Sequence, residues 1–399
     1  MISYEEALKT ISTYPFAPGT ESIELEASDG RILAEDVIAD RDLPPYDRVT
    51  MDGIAIQFDS YDKGQRSFAV EKTIGAGMPK SALEDAGKCV QIMTGAIMPD
   101  GADTVIRYED IELVDEVATI KESVNHKQNI HFKGEDKLSG EVVLENGTTL
   151  GPTEMIVAAA VGKATVNVLK LPKAAIITTG DELVAISDSP LAHQVRRSSN
   201  YGVQTVLQRW GLKTTQFHLK DDKEAMKEAL GQILEDYELM VITGGVSRGK
   251  FDFLPEVLDE LGVQKHFHKV KQRPGKPFWF GTAPNGTTVF ALPGNPVSSF
   301  VCANVYIRHW LNASYQQQTE LPKVKLGNAV DFKPPLTYFL ECSVTVSETG
   351  QLLAHTFKGN GSGDFANMTQ ADGFVVLPEG KNHFEAGEIY PFIPYRHKF

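Results

Sequence analysis

Cysteine is scarce in this chain. Only Cys89, Cys302 and Cys342 occur among 399 residues, and no two are spaced as metal ligands are. That usage excludes a disulfide scaffold and reads as three small buried residues in a reducing compartment. Long apolar runs are missing as well. Stretches such as Met155–Val161 fall far short of a bilayer span, so no membrane-spanning helix is expected. The segment Met1-Ile2-Ser3-Tyr4-Glu5-Glu6 has no basic stretch leading into an apolar one, so no secretory leader is expected either. Together these point to a cytoplasmic protein. Cationic charge is the third shortage: Lys and Arg number 39 against 53 Asp and Glu, a formal net charge of −14. Nonspecific binding to nucleic acid or to an anionic membrane is therefore not expected. A small anionic ligand remains open, because converging backbone N–H groups and a few lysines make a positive pocket even in an acidic protein.

What is present is a multidomain pattern, with length enough for two to four domains. Tyr4–Thr13 has helical spacing. Leu43-Pro44-Pro45-Tyr46-Asp47 is too proline-rich for the interior of an element and marks a boundary. Residues 51 to 139 read as a β-rich insert, with strand candidates at Gly53–Gln57, Phe68–Thr73, Cys89–Met93, Asp103–Arg107 and Ala118–Ile120. From Pro172 to about Ala313 short apolar strands alternate with helical stretches. Ala174–Thr179, Thr214–His218, Leu239–Thr243 and Thr288–Leu292 are the strands; Tyr201–Trp210, Lys223–Tyr237, Leu254–Leu261 and Val297–Trp310 are the helices. Such alternation predicts βαβ units and a mostly parallel sheet. Beyond Leu321-Pro322, strand-like runs at Cys342–Val346, Leu352–His355 and Gly373–Leu377 predict a small β domain.

Three predicted strands of the central region stop at glycine-bearing turns: Gly180-Asp181-Glu182, Gly244-Gly245-Val246-Ser247-Arg248-Gly249-Lys250, and Pro293-Gly294-Asn295-Pro296. In a parallel sheet these stops gather at the carboxyl edge, where open α/β sheets bind ligands. The second turn keeps the GxxxxGK spacing of a phosphate loop, but Phe251 stands where its Ser or Thr belongs. It also contains Gly-x-Ser-x-Gly, a possible nucleophile elbow with Asp259 and His266 or His268 as partners. The elbow needs a helix to begin at once, whereas Lys250–Phe253 and Pro255 delay it, so an anion cradle is the better reading. An ordinary strand-to-helix turn is the plain alternative. Asn295 suits a helix N-cap and Pro296 the first helical position, which explains that motif structurally; an anion at the helix start explains it equally well. Asp181, Glu182, Asp221 and Asp252 follow strand or turn ends. They suit either Mg²⁺, which takes carboxylates with substrate oxygens, or helix capping. Lys269, Lys271, Arg273 and Lys276 cluster beside a proline-glycine turn, as an oxyanion clamp or a solvated edge. In the insert, Met51-Asp52-Gly53, Thr94-Gly95-Ala96 and Lys133-Gly134-Glu135-Asp136 each read as a turn bearing polar groups.

Taken in order, these segments resemble the molybdopterin molybdenumtransferase family, the MoeA type that includes the E domain of gephyrin. The matching pieces run from Leu43-Pro44-Pro45-Tyr46-Asp47 and Met51-Asp52-Gly53, through Gly75-Ala76-Gly77, Thr94-Gly95-Ala96 and Gly134-Glu135-Asp136. They continue through Thr179-Gly180-Asp181-Glu182-Leu183, Ser199-Asn200, Thr243–Gly249 and Pro274-Gly275-Lys276-Pro277 to Leu292-Pro293-Gly294-Asn295-Pro296. The resemblance implies a discontinuous domain I (1–44 and 140–170), a β-rich domain II (45–139), an α/β molybdopterin-binding domain III (171–316) and a β-barrel-like domain IV (317–399). It implies a homodimer with the site between subunits, fed by a partner adenylyltransferase. The implied reaction inserts molybdate into adenylated molybdopterin, cleaving the adenylate with Mg²⁺ and releasing AMP.

In that frame Gly244, Gly245, Ser247, Gly249, Pro293, Gly294, Asn295 and Pro296 cradle the pterin phosphate or pyrophosphate. Lys269, Arg273 and Lys276 offset the charge of phosphate and molybdate. Asp181, Glu182, Asp221 and Asp252 hold Mg²⁺ and the reacting oxygens, while Asp52, Thr94 and Asp136 complete the pocket from the partner subunit. Ser362 lies in a Gly-Ser turn similar to the family's. This chain has His131 and Lys133 before Gly134-Glu135-Asp136, where arginines are frequent in the family, and Leu336–Val344 has no arginine. The rival activities are a molybdopterin adenylyltransferase, a noncatalytic gephyrin-like scaffold, and a hydrolase acting through the cradle or Ser247.

Overall fold

The computed structural model describes residues 1–246, 253–317, 320–357 and 365–396. It divides into two compact units, Glu21–Val168 and a second made of Met1–Thr20 with Leu169–Phe399.

The larger unit is built on a six-stranded sheet in the order Thr214–Leu219, Ala174–Thr179, Leu239–Thr243, Thr288–Leu292, Trp279–Thr282, Gln264–His268. The first four run parallel; the last two form an antiparallel extension. Every residue of Ala174–Thr179, Leu239–Thr243 and Thr288–Leu292 is buried. That burial accounts for their continuous apolar character, as parallel sheets are covered on both faces. One face packs Ala175, Ile177, Met240 and Ile242 against Met226, Leu230 and Ile233 of helix Lys223–Asp236 and Val257 of helix Leu254–Glu260. Asp222 caps the first of these helices by accepting from the Ala225 amide at 2.9 Å. Helix Ser199–Arg209 packs against strand Ala174–Thr179 and against helix Pro296–Cys302.

The sheet is mostly parallel, as expected, with two edge strands that the sequence did not show, and the last helix differs from its expectation. The edge strands Gln264–His268 and Trp279–Thr282 make the sheet mixed; their alternation is short and is interrupted by the proline-glycine turn between them. The expected single helix Val297–Trp310 is three pieces: Pro296–Cys302, a wider π turn at Ala303–Ile307, and Arg308–Ser314. The π turn carries Tyr306, stacked on Phe278 with centroids 4.4 Å apart and hydrogen-bonded to Gln272.

After residue 320 the chain makes a closed five-stranded barrel. Lys323–Leu326, Leu352–Thr356, Thr337–Val346, Gly373–Leu377 and Ile389–Pro394 pair in a ring. Its interior is filled by Val324, Leu340, Val375, Leu377 and Phe384. Gln272–Arg273 adds to this barrel, parallel to Thr337–Tyr338.

The other unit, Glu21–Val168, carries a second six-stranded sheet. Its order is Thr104–Arg107, Gly53–Ile56, Lys88–Ile92, Ser67–Ile74, Val117–Ile120, Ile111–Val114. Apolar clusters line both of its faces, one around Ala55, Val90 and Val105 and one around Ile54, Phe68 and Cys89. Gly53 is required there: a Cβ on it would stand 1.9 Å from the Ile106 carbonyl oxygen.

Candidate functional site

The strand order reverses beside Ala174–Thr179. The next strand in sequence, Thr214–Leu219, lies on one side of it, and Leu239–Thr243 lies on the other. Ligands of open α/β sheets bind outside the carboxyl ends at such a switch point. The structure has a cavity there of about 940 Å³. Its walls are the ends of three strands: Thr178 to Gly180, Thr243 to Val246, and Pro293 to Pro296.

The backbone explains the glycines. Gly244 and Gly245 have φ of +99° and +66°, the left-handed region that other residues enter only with strain. A Cβ on Gly244 would come within 3.1 Å of the Thr179 carbonyl oxygen, and one on Gly294 within 3.6 Å of the Gly244 Cα. The Gly244 amide donates to the Leu292 oxygen at 3.1 Å, and Ser199 Oγ donates to the Gly294 oxygen at 2.9 Å. These bonds lock the turns against each other and against the start of helix Ser199–Arg209. Pro296 opens its helix as expected. Asn295 stands at the N-cap position, though its side chain makes no capping bond to that helix.

The acidic residues separate into two roles. Asp222 is the helix cap. Asp221 and Glu182 line the cavity, and Asp181 joins them: the Asp221 amide donates to Asp181 Oδ1 at 3.3 Å. The Glu182 carboxylate folds back over Gly180, where a Cβ would lie 2.6 Å from Oε2. Among the described residues no group of three or more His, Cys, Asp or Glu is disposed to hold a metal ion. His218 neighbours this corner, with Nδ1 3.1 Å from Thr178 Oγ1. Burial and the nearby Arg197 cation push its pKa below the usual imidazole value.

The basic cluster lies on a different cavity. Arg273 and Lys276 line one of about 460 Å³, between the Gln272–Pro277 turn and the barrel strand Thr337–Val346. Its other walls include Ser298, Tyr338 and Phe339. Pro277, Pro293 and Asn295 line both cavities and form the partition. Lys271 is paired with Glu379 at 3.1 Å. Lys269, at φ +74°, lines neither cavity; its amide donates to the Phe278 oxygen and its oxygen accepts from the Ile2 amide. Ser247, Gly249, Asp252 and Ser362 lie outside the described residues.

In the unit Glu21–Val168 the three predicted turns meet around residues 47–52. Asp52 Oδ1 accepts from the Thr94 amide at 2.7 Å and from Thr94 Oγ1 at 2.8 Å, and these bonds hold its carboxyl below the usual range. Gly95 and Ala96 bond to Val49, and Ile130–His131 pairs with Arg48–Val49. The Asp136 and Gly134 amides donate to the Leu43 and Pro44 oxygens. Arg48 Nη2 donates to His131 Nδ1 at 3.1 Å, which leaves Nε2 to carry the proton that His131 donates to Asp136 Oδ1 at 3.0 Å. Sequence reading did not single out Arg48, Arg196 or Arg197. Their only signal is a cation, or for Arg196-Arg197 a pair of them, close to a motif.

Three family models together match most of the chain: "MoeA N-terminal region (domain I and II)" at residues 2–162, "Probable molybdopterin binding domain" at 175–313, and "MoeA C-terminal region (domain IV)" at 323–395. A Synechocystis protein named molybdopterin molybdenumtransferase is 38% identical over 98% of this chain and 99% of its own length. The chain belongs to the molybdopterin molybdenumtransferase family. A Staphylococcus epidermidis relative of the same name is 30% identical, covering 98% of this chain and 95% of its own. Among solved structures, a molybdopterin biosynthesis MoeA protein from Pyrococcus horikoshii superposes with a TM-score of 0.83 at 27% identity. It covers 99% of this chain and 100% of its own. The architecture of this molybdopterin molybdenumtransferase family member is thus a β-rich N-terminal region, a central α/β domain and a C-terminal barrel.

Proposed function

We propose that this chain catalyses the last metal-loading step of molybdenum cofactor biosynthesis: molybdate is inserted into the dithiolene of adenylated molybdopterin, the adenylate is cleaved, and AMP is released. The observation that carries the reading is the switch-point cavity with its left-handed glycine turn, in a chain whose full-length relatives bear the transferase name. Gly245 and the residues that follow Pro296 at the helix start present backbone N–H groups to phosphate oxygens, while Gly244, its amide bonded to the Leu292 oxygen, shapes the turn; such a cradle costs no reorganisation when charge shifts. Arg273 and Lys276, across the partition, hold molybdate as a separate oxyanion.

Magnesium fits the chain as an open site. Mg²⁺ is held by one or two carboxylates plus substrate phosphates and water; Asp181 and Asp221, adjoining through the Asp221 amide, would supply them, with Glu182 and Asp252 alongside in the sequence motifs. When bound it neutralises charge on the phosphoanhydride. The chain's own groups then orient substrate rather than attack it. Asp52, Thr94 and Asp136 complete the pocket from the partner subunit of a homodimer, in a cytoplasmic enzyme supplied by an adenylyltransferase.

The test is AMP release from adenylated molybdopterin with Mg²⁺, with and without molybdate. Molybdate-dependent release with formation of active cofactor is expected. Consumption of ATP and molybdopterin without molybdate would replace the reading with adenylyltransfer, and a folded protein that releases no AMP would replace it with scaffolding.

A further inference from the structure

The cradle cavity has a charge problem that the described motif residues do not solve. A phosphoanhydride brings at least two negative charges to walls that already include Asp221 and Glu182. The predicted counter-cations Arg273 and Lys276 line the neighbouring cavity, and Lys269 lines neither. Among the described residues, the only basic side chains lining the cradle cavity are Arg196 and Arg197.

Their settings differ. Both stand at the end of a short parallel ribbon in which Leu183–Val184 pairs with Val195–Arg196. Arg196 is exposed, and its Nε donates to the Asp188 oxygen at 3.0 Å, so its guanidinium is tied to the outer loop. Arg197 is half-buried, and its amide donates to the Val184 oxygen at 3.0 Å, which fixes its backbone. No ion pair to Arg197 occurs among the described residues. Arg197 lines the same cavity as Glu182, Asp221 and the Thr243–Val246 turn, so its cation faces the space that a phosphoanhydride would fill. A half-buried cation is screened less by salt than an exposed one, and a guanidinium fork matches two oxygens of one phosphate.

We infer that Arg197 is a substrate-binding residue that grips the phosphoanhydride of the adenylated substrate, with Arg196 positioning the ribbon that carries it. The inference rests on the proposed function for the identity of the ligand, but only the phosphoanhydride chemistry is needed for the test. The probe is ADP with Mg²⁺, titrated calorimetrically into the wild-type protein and into Arg197→Gln, Arg197→Lys and Arg196→Gln, alongside AMP release from adenylated molybdopterin. Arg197→Gln is expected to weaken ADP at least tenfold, Arg197→Lys to restore part of the loss, and Arg196→Gln to weaken it only two- to threefold. Melting temperatures close to wild type would show that the fold is kept. ADP affinity unchanged in Arg197→Gln, or no ADP binding by the wild type, overturns the inference. Loss of ADP binding in Arg197→Gln, together with no AMP release by the wild-type protein, would sink the transferase reading while leaving the phosphoanhydride site standing.

Discussion

Two cavities share a wall of Pro277, Pro293 and Asn295, yet they are built by opposite means. The larger is a backbone structure. Its critical surfaces are strand ends and left-handed glycines, and its shape survives only where a side chain is absent. The smaller is a side-chain structure: two cations over an aromatic wall, assembled where Gln272–Arg273 adds to the barrel edge. A backbone cradle suits a phosphate chain that must be held in one register. A pair of flexible cations suits a compact oxyanion that arrives separately.

The contrast gives graded predictions. Gly244→Val should do the most damage, because it places a branched side chain at φ +99° against Thr179. The strain is about 1–3 kcal/mol before the clash is counted. AMP release should fall at least a hundredfold, and the melting temperature should drop. Survival of full activity would mean that the turn is not the cradle. Next is Arg273→Ala, expected to raise the molybdate concentration for half-maximal rate about tenfold, or about 1.4 kcal/mol. ADP affinity should stay unchanged; a parallel loss of both would merge the two cavities into one site. Asp181→Asn should then shift the Mg²⁺ requirement upward several-fold without moving the molybdate requirement, as read from metal titrations of the rate.

The smallest effect lies away from both cavities. Lys223 and Lys227 hydrogen-bond the Glu260 carboxyl and lower its pKa to about 2. A depressed carboxyl stabilises the fold fully above its unfolded pKa near 4.5, and that contribution fades as pH falls toward 2. Glu260→Gln should therefore lower the melting temperature slightly at pH 7 and match wild type near pH 2. An equal difference at both pH values would contradict the assignment.

The same contrast decides what the sequence could reveal. The cradle was legible because left-handed backbone leaves a glycine signature beside apolar strand ends, and because parallel strands deliver those ends to one edge. The central strands and most helices follow from continuous apolar runs and helical spacing. The second cavity was not legible. Arg273 and Lys276 were visible as a basic cluster, but their separation from the cradle depends on a strand addition to a barrel whose first strand, Lys323–Leu326, comes well after them in the chain. The sequence leaves Asp221 as a metal ligand or a helix cap, and the fold separates it from its neighbour: Asp222 Oδ1 caps the helix and Asp221 lines the cavity. The edge strands Gln264–His268 and Trp279–Thr282 lacked length, and the π turn at Ala303–Ile307 has no composition of its own.

The most direct test of the two-cavity account is a calorimetric titration of molybdate into the protein, free and saturated with ADP and Mg²⁺. The account predicts molybdate binding in both cases, with affinities within about threefold of each other. Loss of molybdate binding on saturation with ADP would show that the two ligands compete for one site, and would contradict it.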